Sequence, residues 1–449
     1  MKITSLVSSI IILWLTSANC LSASKLIHRH NIVDQYDKYK NAVSIVPKDS
    51  YYAVTLDYTK CPNPYVMGYV YGKKIVKEIP NFEELLDSYM NNIIDGNKLI
   101  YKIMLVRARN IKVNVEPKYI AEIKGMAKAL NHKINRMGDR KITCDELIAL
   151  NLIPDIGRLT QCSALAAFGQ KTKDNHMLVG RNLDWPCGDN YELAKIQAVI
   201  TIKYPHSTIT SIGIVGYNGA ITMLNNSGVF AAILDSPNLY KYSSINKNSY
   251  PFDLRQALET NSTADTVANF MLNKKRHYTV GHLILIADKS VAGIVENNTK
   301  KLKNKDTRVF RTSEFTLHDG LEWSSQDTIA CVNCFASINN QDNRKNFLTS
   351  YNLFVNKNKN TIDDNTKRWK NLNSLLNNNS KILDIADIEK ILGYYHGIKP
   401  DYAASGDIYN RFTFQSIVFC PNTLNLLVSF HPKDTDIPDK PKFEQIDIK

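Results

Sequence analysis

Beyond residue 23 the chain has no apolar run of the roughly 20 residues that a membrane-crossing helix requires, which excludes a helical anchor in that part. The Cys331-Val332-Asn333-Cys334 pair has no second C-x-x-C to complete it, which excludes a zinc ribbon and leaves the pair incidental or structural. No basic stripe is interleaved with aromatics, so nucleic acid is not an expected partner. Lys and Arg (56) outnumber Asp and Glu (43) for a net charge of +13. The basic residues are scattered or in short clusters such as Lys73–Lys77 and Lys300–Lys305, and they read as solvated surface. Such a surface leaves room for peripheral contact with anionic lipid, weakened by salt. There is no internal repeat.

At 449 residues and 44% hydrophobic composition, the chain can bury a large core. Residues 1–23 read as a secretory signal: Lys2 supplies the charge, Ile10–Leu15 the apolar centre, and small residues follow. This predicts a secreted, lysosomal or periplasmic protein. If Cys20 leaves with the signal, seven cysteines remain, an odd number that suggests one reactive thiol beyond any disulfides. Sequons start at Asn225, Asn261, Asn297 and Asn378 and would make a glycoprotein only in a eukaryotic secretory pathway; Asn225 is expected to be buried.

Residues 24–50 carry no clear period, and Tyr51–Leu56 suits a short strand. Helical spacing covers 64–98 and 117–137, where Ile120, Ile123, Met126, Ala127 and Leu130 share a face. Thr143 and Glu146 form a capping box for another helix. After Cys162 short β-rich runs alternate with helix pairs. The helical run 251–273 should break near Asn261, with Ser262 or Thr263 capping its second piece. Residues 300–326 read as a charged surface excursion, and 412–430 as a final hairpin. The pattern is α+β.

The chemistry concentrates in residues 161–185, QCSALAAFGQKTKDNHMLVGRNLDW. Two apolar runs flank a polar turn, which predicts a β-hairpin that brings Cys162, Arg181 and Asp184 together at its open end. A guanidinium lowers a thiol pKa from about 8.5. No His in the stretch is an evident base. If the Gln161–Cys162 bond is cut, the new α-amine, with a pKa of roughly 7.7 to 8.0, can accept the thiol proton, held by Asp184. In a regular strand Arg181 and Asp184 face opposite sides, so both reach one site only if the strand bulges or ends near Asn182. The competing reading of these residues alone is a buried structural cysteine beside a surface ion pair.

Cys162-Ser163 followed by Gly180-Arg181-Asn182-Leu183-Asp184-Trp185 resembles the nucleophile hairpin of the N-terminal-nucleophile (Ntn) hydrolases. The closest likeness is to the isopenicillin N acyltransferase (acyl-coenzyme A:6-aminopenicillanic acid acyltransferase) family. Acid ceramidase, N-acylethanolamine acid amidase and the bile salt hydrolases are more distant. Further matches are Tyr65–Gly68 with Tyr71–Lys73, Glu122–Ala127, Asp145–Asn151, Leu224–Val229, Cys331–Phe335 and Phe414–Pro432.

The resemblance implies a four-layer αββα sandwich with a largely helical N-terminal propeptide. The domains would be 1–23 signal, 24–161 propeptide or alpha chain, and 162–449 catalytic beta chain. It implies self-cleavage between Gln161 and Cys162, after which segment 24–161 partners the catalytic chain in a heterodimer. Cys162, Arg181, Asp184 and Asn333 would be catalytic, with Asn333 donating to the tetrahedral oxygen. Asp235 and Trp185 would bind substrate, and Asp235 departs from the Asn or Tyr of relatives. The implied activity is hydrolysis or acyl transfer at linear amides, with ceramide-like or fatty-acyl lipids as the first choice of substrate and with neither cofactor nor metal. A bile-salt or penicillin-type substrate is the second choice. Other readings are a non-catalytic secreted binding protein that keeps the fold and a papain-like thiol protease, whose local signature is missing from Cys162-Ser163-Ala164.

Overall fold

The computed structural model of the protein describes residues 35–157, 161–236, 242–299, 306–319, 321–340, 364–377, 381–402 and 405–448. The signal expected at 1–23 and the sequon at Asn378 lie outside them.

The segment before Cys162 supplies strands β1 (Val43–Pro47) and β2 (Tyr52–Asp57), then helices α1 (Pro64–Glu78), α2 (Phe82–Ile93), α3 (Lys98–Ile111), α4 (Pro117–Leu130), α5 (Cys144–Asn151) and α6 (Ile153–Ile156). The rest supplies β3 (Gln161–Ala167), β4 (Leu178–Asp184), β5 (Gln197–Lys203), β6 (Thr208–Ile214), β7 (Thr222–Asn225) and β8 (Phe230–Asp235). Helices α7 (Tyr250–Thr260) and α8 (Ala264–Met271) precede β9 (His282–Ala287), β10 (Ala292–Asn297), β11 (Arg308–Arg311) and β12 (Thr328–Val332). Helices α9 (Asp364–Leu376) and α10 (Ile385–Leu392) precede β13 (Thr413–Cys420), β14 (Asn425–Phe430) and β15 (Glu444–Ile446).

The strands form two sheets. One runs β1-β2-β5-β6-β7-β8-β9-β10-β11 and the other β12-β3-β4-β13-β14-β15. All pairings are antiparallel except β2 with β5. Strands β4, β12 and β13 of the smaller sheet are buried along their whole length, and β3 from Cys162 on, because both faces are covered there. The period of two in a strand sorts their side chains into two cores. Cys162, Ala164 and Ala166 of β3 join the core shared with the larger sheet. Leu165 and Ala167 join a second core with Trp369, Leu372 and Ile388 of α9 and α10. Accordingly β3 packs on β8 and β9, α9 on β12, and α10 on β4 and β13. On the larger sheet α7 packs on β6 and β7, and α8 on β9 and β10.

Several local expectations hold. Thr143 and Glu146 form the capping box, and the helical run breaks at Asn261 with Thr263 capping α8. Others need correction. Strand β1 lies inside the stretch that shows no period, and the segment before Cys162 therefore adds two strands to the larger sheet as well as its helices. Strand β11 lies inside the expected surface excursion; it pairs only with β10, and its Arg311 is buried. Asn225 is buried as expected, and Asn297 is too, its side chain bonded to Arg308 and His282, so neither sequon is open to a glycan. All seven described cysteines are free, so no disulfide enters the cysteine arithmetic. Among the described residues no helix is long and apolar enough to cross a membrane.

The segment before Cys162 is bound to the rest by more than apolar contact. Arg255, fully buried on α7, makes two hydrogen bonds to Glu122 of α4, at 2.7 and 2.8 Å. Glu122 also accepts from Tyr58 Oη and Asn218 Nδ2. Helices α1 and α4 meet through glycines. A Cβ at Gly68 would lie 1.9 Å from the Glu122 carbonyl oxygen, and one at Gly125 would lie 2.0 Å from that of Tyr65. Backbone cannot yield as a side-chain tip does, so Gly68→Ala forces α1 and α4 apart and costs about 1–3 kcal/mol, the usual overpacking range. Urea unfolding should show the loss as a lower midpoint with an unchanged slope.

Candidate active site

The hairpin register sets the site. Cys162 opposes Leu183, Ala164 opposes Arg181, and Gln161 opposes Asp184. Opposed residues share a face, so Cys162 and Arg181 both look toward the larger sheet. Arg181 is fully buried there. Its Nη2 lies 3.7 Å from Cys162 Sγ and 2.8 Å from the Ile233 carbonyl oxygen, and its Nη1 donates to Thr222 Oγ1.

Strand β4 stays regular through Asp184, which therefore lies on the opposite face; the bulge is in β13, between Thr413 and Gln415. The Asp184 carboxylate accepts from Asn410 Nδ2 at 2.7 Å and Thr413 Oγ1 at 2.9 Å, with Arg368 Nη1 at 3.8 Å. Only its main-chain N–H reaches the Cys162 sulfur. The expectation of Cys162, Arg181 and Asp184 meeting on one face thus becomes two faces of one strand pair, joined through the backbone.

Asn333 follows directly on β12, the neighbour of β3. Its Oδ1 accepts the Cys162 N–H at 2.7 Å and Arg368 Nη2 at 3.0 Å. Two donors on one oxygen fix the amide's orientation, and Nδ2 turns to the Asp235 carbonyl oxygen at 2.7 Å. In the continuous chain the acceptor on the Cys162 nitrogen is therefore Asn333. Asp235 ends β8, with Oδ1 3.4 Å from Tyr250 Oη. Arg368 also holds the Cys162 carbonyl oxygen at 2.9 Å and Asn365 Oδ1 at 2.7 Å.

Arg368, Asn365, Asn410, Thr413 and Thr222 were not picked out from the sequence. A signal existed for the first two. On the helix expected over 365–377, Asn365 and Arg368 fall beside Trp369, Leu372 and Leu376, the apolar face. Polar residues on such a face require buried partners.

Burial outweighs the guanidinium at the sulfur. The Cys162 thiol is pushed up to about 11, chiefly by burial; Arg181 pulls it down, while Asp184 and Asp235 push it up. Burial likewise raises Asp184 to about 7 against the pull of Arg368 and the hydrogen bonds from Asn410 and Thr413. A small pocket adjoins Arg181, with Ile233, Asp235 and Trp185 in its wall. Among the described residues Arg181 Nε finds no hydrogen-bond partner. A larger apolar pocket shares Leu183 and Trp185 and is lined also by Leu86, Leu147 and Leu150 from the segment before the hairpin. Trp185 is anchored by its Nε1–H to Tyr89 Oη at 2.6 Å.

An Asp whose folded pKa lies near 7 binds a proton in the folded state between about 4 and 7 that the unfolded chain gives up. Its contribution to stability is full below that window and is lost as pH rises through it. In a Cys162→Ala background, Asp184→Asn should remove this portion. Stability of the variant should fall less between pH 4.5 and 7.5 than that of its parent, measured by urea unfolding.

No protein-family model and no curated protein matches the chain. Among solved structures it is similar to a Caenorhabditis elegans ortholog of N-acylethanolamine-hydrolyzing acid amidase, at 14% identity and TM-score 0.39, covering 62% of this chain and 100% of that one. A mutant conjugated bile acid hydrolase from Clostridium perfringens aligns at 14% identity and TM-score 0.37, over 64% and 97% of the two chains. Penicillin V acylase from Agrobacterium tumefaciens aligns at 12% identity and TM-score 0.33, over 64% and 86%. All three TM-scores lie below 0.5, too low to establish a shared fold.

Proposed function

We propose that the protein is a secreted, self-processing Ntn cysteine amidohydrolase or acyltransferase with the four-layer αββα arrangement. One observation carries the reading: Cys162 begins a buried strand with Arg181 at its sulfur, Asn333 on its nitrogen and Arg368 on its carbonyl. In the first reaction the Cys162 sulfur attacks the Gln161 carbonyl carbon, the C–N bond breaks, and the nitrogen takes the thiol proton. Water then hydrolyses the Gln161 thioester. The freed amine becomes the base for its own thiol, which attacks a substrate amide; the leaving amine takes the proton, and water or another amine resolves the acyl-enzyme.

The roles follow from the contacts. Arg181 stabilises thiolate, and its unpartnered Nε suits a substrate oxygen. One hydrogen of Asn333 Nδ2 is held by Asp235, and the second remains for the tetrahedral oxygen. Losing such a donor costs about 10² to 10³ in rate. Asp184 and Arg368 brace the backbone of the new N-terminus from the other face. The apolar cavity supports a fatty-acyl or ceramide-like amide with its chain against Trp185. The amine half would lie toward Asp235. Because Leu86, Leu147 and Leu150 wall that cavity, and Glu122 binds Arg255, the two products act as one heterodimer. Secretion rests on residues 1–23 alone.

The second reading, a non-catalytic binding protein, is favoured by the buried thiol near 11. Expression with the signal, a denaturing gel and N-terminal sequencing, alongside Cys162→Ala, decide between them. The proposal expects two wild-type fragments, the larger starting at Cys162, and one intact variant chain. The fragments should co-migrate on a sizing column and part only in denaturant. A single uncut chain in both proteins, even after acidification, would overturn the proposal.

A further inference from the structure

Among the described residues strand β12 is an edge strand, with β3 its sole partner in the sheet. Yet β12 and the turn after it carry Asn333, whose side chain meets the Cys162 nitrogen at 2.7 Å. A strand bonded on one side has its other edge open, and a turn at its end has less still to hold it. Positional precision there has to come from elsewhere.

Arg368 and Asn365 of α9 hold Asn333 itself, at 3.0 and 3.1 Å, and the hold on the strand and turn around it comes from the other sheet. Glu296 of β10 is fully buried, and its carboxylate gathers donors from the turn that follows Asn333. Oε1 accepts the main-chain N–H of Ala336 at 3.0 Å and of Ser337 at 3.2 Å. Oε2 accepts Ser337 Oγ at 2.7 Å and Asn340 Nδ2 at 2.8 Å. Arg311 of β11, also buried, donates Nε to Oε1 at 2.9 Å and Nη2 to the Ala330 carbonyl oxygen of β12 at 2.9 Å. One ion pair thus grips the strand before Asn333 and the turn after it, three residues away on either side. It stands on the last two strands of one sheet, β10 and β11, and holds the end strand of the other. A buried carboxylate with an Arg partner and four further donors has its charge met, so the pair sits in one geometry. None of these groups touches the Cys162 sulfur.

We propose that Glu296, with Arg311, is the positioning residue for Asn333: it fixes the turn Ala336–Asn340 and through it the distance from Asn333 to the nitrogen of Cys162. This rests on the self-processing reading for its kinetic consequence, and not for its geometric one. A misplacement of about 1 Å at a reacting centre costs about 10²-fold in rate.

The test has two arms. In the uncut Cys162→Ala chain, hydrogen exchange is followed by mass spectrometry with and without Glu296→Gln, which keeps the shape but turns an NH₂ toward N–H donors. Exchange should rise about tenfold or more in peptides covering 333–340 and also at the amide of residue 162, with 197–214 unchanged. Ser337→Ala, which removes one donor and spares the ion pair, should do the same to a smaller degree. In the Cys162 chain, Glu296→Gln should slow self-cleavage on a timed denaturing gel about 10²-fold. It should also lower kcat on a fluorogenic N-lauroyl-7-amino-4-methylcoumarin with KM little changed, and Glu296→Asp should restore part of the rate. Loosening of 333–340 without any change at residue 162, or with cleavage at full rate, would overturn the proposal and leave Glu296 a local anchor. If the parent chain neither cuts itself nor hydrolyses the probe, the self-processing reading fails, while the exchange arm still decides the positioning claim.

Discussion

A guanidinium cannot be buried without acceptors, and Arg368 is buried completely. Its demands draw together four groups: the Cys162 carbonyl on β3, Asn333 after β12, Asn365 one helical turn back on α9, and Asp184 at the end of β4. Each of these groups has another obligation. Cys162 gives its N–H to Asn333, Asp184 takes Asn410 and Thr413, and Asn333 gives its amide to Asp235. The contacts interlock, so moving any member leaves a buried charge or donor unmet, which is far costlier than the net worth of any one bond. That interlocking holds the hairpin end in a single arrangement.

The smaller sheet divides this arrangement in two. Its larger-sheet face carries the sulfur and Arg181; its helix face carries Asp184 and Arg368. The partition explains why the thiol is not already a thiolate. Arg181 is the cation beside the sulfur, and burial of a charge with one such neighbour still favours the neutral form. In the continuous chain the Cys162 nitrogen is an amide and offers no base. Cutting the chain at that bond would add an amine beside the sulfur, the group the site otherwise lacks, without rearranging either face.

Local signals made much of this legible from sequence. Both hairpin strands, the Thr143 capping box and the helix break at Asn261 were expected from spacing and cap chemistry and are present. The polar end of the hairpin stood out because Arg181 and Asp184 interrupt apolar strands. What stayed hidden depends on distant partners. Strand β11 is short and charged at both ends, and Arg311 reads as surface until Glu296 is seen beside it. Arg368 reads as one more basic residue in a basic chain until the apolar face of its helix is drawn. The face of Asp184 followed from strand parity, but no feature of the sequence showed that β4 would remain regular and β13 would take the bulge.

The central claim is that the thiol of Cys162 is held inactive in the continuous chain and released by cleavage at its own nitrogen. Site-resolved alkylation measures this in one sample. A partly cut preparation is treated with iodoacetamide at pH 7 and digested with trypsin. Uncut protein then yields the peptide 159–171 and cut protein the peptide 162–171. The account predicts label on Cys162 in the shorter peptide and almost none in the longer. Equal labelling of both, or label on the longer peptide alone, would contradict it.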